Sequence, residues 1–191
     1  MSLKYMNDAD IKKAFDGFKA DVRLHPEALW GGCTERTKII CDALNQKGPQ
    51  AGFMCLPKEG WTDEKLSCKA KLQNKKEDEF FWIRHFVPIV QNQNGEVIVL
   101  DVCLMDGPEK LKDWIKHISF EGKPVEPGNY TLNHPDNIYA LETHLKGMDP
   151  FIRLQGIAEE FTDRKIIPWQ KKSNWLKKQN VLQCKLSSRE R

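Results

Sequence analysis

Apolar positions recur along this chain in two periods. From Asp8 to Lys19, Ile11, Ala14, Phe15 and Phe18 fall at helical spacing, and Asp8 or Asp10 is placed to cap the helix they predict. The connector Arg23-Leu24-His25-Pro26 interrupts that pattern, since proline disfavours helix at the residue before it. A second helix is predicted from Cys33 to about Gln46, preceded by Gly31-Gly32 and stopped by Gly48-Pro49. Cys33, Thr37, Ile40 and Leu44 share one of its faces, with Ile39 and Ala43 adjoining.

The period then shortens to two. Gln50 to Leu56 reads as a short strand, and the lysine-rich Lys58 to Asp78 as a long polar excursion. Phe80 to Val90 and Glu96 to Leu104 both alternate, with Gln91-Asn92-Gln93-Asn94-Gly95 as the turn between them. Asp106-Gly107-Pro108 is a further turn, Pro108 to Ile118 a helix containing Trp114, and Gly122 to Asn137 a loop or irregular strand. Asp149-Pro150 supplies a cap and first turn for a helix striped by Phe151, Leu154, Ala158 and Phe161. These elements predict an α+β fold, an antiparallel sheet packed against helices on one side. With 191 residues, a single domain over 1–191 is expected, with a basic extension at about 164–191 that carries Trp169 and Trp175.

Composition narrows the function classes. A net charge of +3 is too small to argue for nucleic acid, and no stretch approaches the roughly 18 apolar residues of a membrane span. Met1 to Asp8 lacks the apolar core of a signal peptide. The six cysteines form no C-x-x-C pair and show no zinc-finger spacing with histidine, so no metal is expected. A chain of this length does not need disulfides, and free thiols in a reducing compartment are the better reading.

Which thiol does chemistry is then a question of position. Cys33 stands at a predicted helix N-terminus, where free N–H groups and the dipole lower a thiol's pKa. The glycines before it let a substrate approach the backbone, and the Cys33 N–H can point at a developing oxyanion. On the hairpin, His85 shares a face with Phe81, Ile83, Val87 and Ile89, and Asp101 shares one with Val97, Val99 and Cys103. Two titratable groups on facing apolar stripes are each costly to bury without a partner. Loop length decides whether they meet. A three- or five-residue loop centred on Gln93 pairs them directly, with paired residue numbers summing to 186. A three-residue Gln93-Asn94-Gly95 loop makes them diagonal neighbours on one face, and a two-residue Asn94-Gly95 turn puts them on opposite faces. The longer loop is expected. His85 then serves as base and later acid for Cys33, and Asp101 orients the imidazole.

These residues also sit in familiar surroundings. Gly32-Cys33-Thr34-Glu35-Arg36 resembles the G-C-x-x-R segment of bacterial protein-glutaminases. Trp82 to Val90 resembles that family's W-x-x-H-V-x-P-x-V strand, and Asp101-Val102-Cys103-Leu104 with Gly107-Pro108 and Trp114 is similar to its D-P-S-L block and downstream residues. The resemblance covers roughly Leu29 to Ile118. It implies a papain/transglutaminase-like core with the nucleophilic cysteine at a helix N-terminus, and deamidation of glutamine side chains in proteins without a cofactor. Carried across, Cys33 is the nucleophile, His85 the base and Asp101 the orienting acid, with Gly32 and Trp82 as further candidates for substrate contact. Alternation places Trp82 on the face opposite His85, where packing is the plainer role. Val102-Cys103 departs from the family's Pro-Ser, and the Cys55 to Asp78 excursion is longer and more charged than the family suggests.

The implied partner is a protein carrying an accessible glutamine. Transglutamination and peptide or isopeptide cleavage use the same triad and remain open at this stage, as does an interaction module on a decayed enzyme fold. The basic C-terminal segment could bind an acidic partner or a membrane surface, or be a solvated helix whose tryptophans dock on the domain. Unpaired cysteines and lysine-rich composition fit a bacterial effector delivered to a host cytosol. Cys41 and Cys103 are expected to be small packing residues.

Overall fold

A computed structural model describes residues 3–26, 32–46, 50–56, 66–70, 78–82, 84–120, 123–127, 130–138, 147 and 149–162. The helices are α1 (Asp8–Ala20), α2 (Cys33–Asn45), the short α3 (Leu111–Trp114) and α4 (Pro150–Thr162). The strands are β1 (Tyr5–Met6), β2 (Ala51–Leu56), β3 (Leu66–Ala70), β4 (Asp78–Trp82), β5 (His85–Asn92), β6 (Val97–Val99), β7 (Glu109–Lys110), β8 (Ile118–Phe120), β9 (Lys123–Pro124) and β10 (Thr131–Asn133). The α+β class is as the periodicity predicts. The chain divides into two units, Met1–Ile157 and Ala158–Arg191, and the basic stretch 164–191 lies outside the described residues.

The main sheet runs β10-β2-β5-β6-β7, antiparallel throughout, and β1 adds a parallel pairing of Tyr5 and Met6 with Gln91 and Asn92 at the end of β5. Alternation along its two central strands feeds two separate cores. Ala51, Phe53, Cys55, Phe86 and Val90 meet Ile11, Phe15, Ile39, Ile40 and Leu44 of α1 and α2. Met54, Leu56, Val87 and Ile89 meet Val99, Trp114 and Ile118 on the other side. The expectation of helices on one side is therefore corrected, because both faces of the central strands are covered. This is why β2 and the first six residues of β5 are buried at every position. Each such large side chain contributes roughly 1.5–3 kcal/mol relative to an exposed one, so these two strands are the most firmly held part of the fold.

Three predicted elements are redrawn. The run Phe80 to Val90 is two strands, since β4 ends at Trp82 and β5 begins at His85, and they lie in different sheets. The polar excursion contains β3, the centre of a four-stranded antiparallel sheet ordered β4-β3-β8-β9. The helix expected over Pro108 to Ile118 shrinks to α3 followed by a 3₁₀ turn, Ile115–His117, because Ile118 is taken into β8. The cap of α1 is Asn7 rather than Asp8 or Asp10. Its side chain accepts the Asp10 N–H at 2.7 Å.

Candidate active site

Cys33 is the first residue of α2, and the half-turn before it is set by glycine. Gly32 caps the helix at φ 73°, ψ 10°, and a Cβ there would collide with Leu154 Cδ1 of α4. Only glycine meets both demands without strain. The helix enters the core at once: Thr34, Glu35, Arg36 and Thr37 are all buried, while Cys33 itself keeps partial exposure. Glu35 is ion-paired with Arg153 of α4. Arg36 donates from Nη1 to the carbonyl oxygens of Leu24 and His25, at 3.5 and 3.3 Å. A reactive thiol can thus stand at the surface end of a helix whose remaining first turn is anchored.

His85 opens β5 and is 5% exposed; Asp101 follows β6 and is 2% exposed. The hairpin register is Val90 opposite Ile98 and Gln91 opposite Val97, so paired numbers sum to 188. Asn92 N–H donates to Glu96 O, leaving Gln93, Asn94 and Gly95 as a three-residue loop with Gly95 at φ 78°. Of the two longer-loop alternatives the structure has the diagonal one rather than direct pairing at 186: by this register Asp101 falls opposite Val87, two residues along from His85 and on the same face. The diagonal is closed by a hydrogen bond of 3.0 Å between His85 Nε2 and Asp101 Oδ2.

The other carboxylate oxygen of Asp101 shapes the chain. Oδ1 accepts the N–H groups of Cys103 and Leu104 at 3.3 and 3.2 Å, and the Asp101 carbonyl accepts Met105 N–H at 3.0 Å. This local turn draws the chain out of the sheet after Leu100, whose N–H makes the last bond to Pro88 O. Among the described residues no strand therefore lies beside the first residues of β5 on that edge, and the Cys33 sulfur stands near it. Sγ lies 4.0 Å from Arg84 O, in the electrostatic environment of the His85 imidazole and the Phe86 N–H. Nε2 is committed to Asp101, so Nδ1 is the nitrogen left to serve a thiol.

Electrostatics favour charge separation. Burial opposes ionisation of Cys33, but the hydrogen bond to His85, the imidazolium charge, the Phe86 N–H and the Arg36 charge together hold its pKa below the ordinary thiol value. Burial likewise works against protonated His85, yet the charge and hydrogen bond of Asp101, with the thiolate's contribution, raise it from 6.5 to about 9. Asp101 is lowered: burial is outweighed by the imidazolium, the Leu104 N–H and Arg36. A thiolate beside an imidazolium is the state these directions select.

Two neighbours carry more of the site than their sequence positions suggest. Trp114 is fully buried and its ring is stacked on that of His85, centroids 6.0 Å apart and 13° from parallel. Only its place after the Gly-Pro turn marked it in the sequence. Arg36 was marked in the sequence as the last residue of the G-C-x-x-R segment, with no role attached to it. Trp82 lies at the end of β4, in the second sheet, so the alternation that set it against His85 does not apply. Cys41 is buried, its thiol lies 3.1 Å from Gly52 O, and burial pushes its pKa up, as befits a packing residue. Cys103 packs, half-buried, beside the Asp101 turn. Among the described residues no three His, Cys, Asp or Glu side chains gather as metal ligands, and no helix is long and apolar enough to cross a membrane.

Comparison with known proteins places this arrangement. A family model described as glutaminase, of the glutamine-deamidase type, matches residues 11–118, more than half of the chain and the whole stretch holding Cys33, His85 and Asp101. Among solved structures, a crystal structure of protein-glutaminase is similar at a TM-score of 0.51 and 14% identity, over 73% of this chain and 77% of that one. A crystal structure of pro-protein-glutaminase gives 0.50 and 14%, over 71% and 50%. The solution structure of protein-glutaminase from Chryseobacterium proteolyticum gives 0.48 and 15%, over 71% and 75%. At these identities the likeness is one of fold. No curated protein sequence matches.

Proposed function

The chain belongs to the glutaminase family, and we propose that it is a protein-glutamine deamidase working through Cys33, His85 and Asp101. The observation that carries this reading is the 3.0 Å bond from buried His85 to buried Asp101 at the edge where the Cys33 sulfur stands. The thiolate attacks the carbonyl carbon of a glutamine side-chain amide, and the N–H of Cys33 at the helix terminus faces the oxyanion that forms. Protonated His85 gives its Nδ1 proton to the departing nitrogen, ammonia leaves, and a thioester remains. Neutral His85 then takes a proton from water, whose oxygen attacks the thioester; glutamate is released and the thiolate–imidazolium pair is restored. Asp101 holds the ring so that Nδ1 faces sulfur throughout.

The substrate is a protein because the chain's fold is shared with protein-glutaminases and Cys33 is only partly exposed, at a helix end an extended glutamine side chain can reach.

Intact-mass measurement on unfolded glutamine-containing proteins tests the reading. The chain is expected to add about one dalton per reacted glutamine and to release ammonia in equal amount, and Cys33→Ala to do neither. Cleaved products, or cross-linked ones in place of the mass gain, would overturn deamidation while leaving the nucleophile in place.

A further inference from the structure

Helix α2 carries a buried cation where helix electrostatics disfavour one. Arg36 is 4% exposed and sits in the first turn, whose unpaired N–H groups already give that end a partial positive charge. Two of its contacts lie on the approach to Cys33. Nη1 donates to Leu24 O and His25 O, and it stands 3.2 Å from where a Cβ of Gly32 would be. The guanidinium therefore packs on the residue immediately before the nucleophile. His25, whose carbonyl it holds, is in the left-handed region at φ 45°, the single non-glycine residue at positive φ among those described. Backbone strain of that kind persists where surrounding contacts impose it.

Resting on the reading of Cys33 as the nucleophile, we propose that Arg36 is a positioning residue for it. Arg36 ties the connector before α2 to the Gly32 cap and supplies a fixed positive charge that favours anionic sulfur and the anionic carboxylate of Asp101. The Nη1 donor does the first task and the guanidinium charge the second. In keeping with this, the Arg36 charge acts in the same direction on Cys33 and Asp101, lowering the pKa of each.

The test is the rate of Cys33 alkylation by iodoacetamide from pH 5 to 10, read by peptide mass, in the wild type, Arg36→Gln and Arg36→Lys. Glutamine can still donate to the Leu24 and His25 carbonyls but lacks the charge; lysine keeps the charge without the fork. Arg36→Gln is expected to slow alkylation at pH 6 by about tenfold, the effect of one unit in a thiol's pKa, and to move the midpoint of the profile to higher pH. Arg36→Lys is expected to remain within about threefold of wild type. A wild-type profile in Arg36→Gln, or a folded Arg36→Lys that shifts as far as Arg36→Gln, overturns the proposal. If circular dichroism shows Arg36→Gln unfolded, the folded lysine variant decides alone by the same criterion. A wild-type Cys33 that alkylates like an ordinary thiol removes the nucleophile reading and this inference together. A reactive wild type with an unmoved Arg36→Gln removes only the role of Arg36.

Discussion

Replacing Asp101 with asparagine isolates one charge with almost no change of shape. Asp101 uses both oxygens: Oδ1 on the Cys103 and Leu104 N–H groups, Oδ2 on His85 Nε2. Asparagine has one oxygen. If it stays with the two backbone amides, the amide nitrogen is turned toward Nε2, which can then bond only as an acceptor. The imidazolium is disfavoured, and the proton that remains on the ring sits at Nδ1, facing a neutral thiol. The size of the loss follows from His85. Its rise from 6.5 to about 9 is achieved against burial, and corresponds to about 3 kcal/mol at 1.36 kcal/mol per unit. Without Asp101 that support goes, and burial is left to push His85 below its ordinary value. We expect kcat/KM for glutamine deamidation at pH 7 to fall by at least about a hundredfold. The Cys33 alkylation rate at pH 6 should fall in parallel. The turn bonds are kept, so the variant should stay folded, but its urea midpoint at pH 7 should fall because the stabilising His85–Asp101 charge pair is lost. Deamidation kinetics and iodoacetamide profiles on matched preparations make the measurement. A variant within about threefold of wild type in both would falsify the view that Asp101 maintains the charged pair.

Four further outcomes follow from the same geometry. The kcat/KM profile should fall above about pH 9, where His85 loses its proton, and its acid limb should lie below the ordinary thiol range, because Cys33 is lowered. Stability carries the same signature: the His85–Asp101 pair contributes fully below pH 6.5 and its contribution is lost as pH rises through about 9, a loss that Asp101→Asn should not show in urea titrations. Trp114→Phe, which keeps an aromatic face on His85, should retain most activity, whereas Trp114→Ala should cost about 3–5 kcal/mol of stability; equal activity in both folded variants would mean the stack does not position the imidazole. Gly32→Ala forces a left-handed alanine against buried Leu154, and should cost about 2–4 kcal/mol from strain and overpacking combined; a change under about 0.5 kcal/mol in urea unfolding would show that α4 yields freely there.

The sequence by itself determined the features that depend on neighbours along the chain. Helical spacing and two glycines put Cys33 at a helix start, and alternation put His85 and Asp101 on the same face of a hairpin. Both follow from backbone periods of 3.6 and 2. Face is only half of an address, however. Alternation says which side a residue takes but not how far along the partner strand it lies, and a sum of 188 rather than 186 was decided when Gly95 closed a three-residue loop. The break between Trp82 and His85 was invisible for a similar reason. Both segments alternate, and only their pairing with different partners, β3 for one and β2 for the other, separates them. Tertiary structure alone decided that the chain leaves the sheet at Asp101 and that sulfur stands beside the first residues of β5. It also decided that Arg36 packs on Gly32 and that Trp114 lies flat on His85. The placement of sulfur beside β5 and of Trp114 on His85 joins residues distant in the chain, and a local pattern carries no term for either.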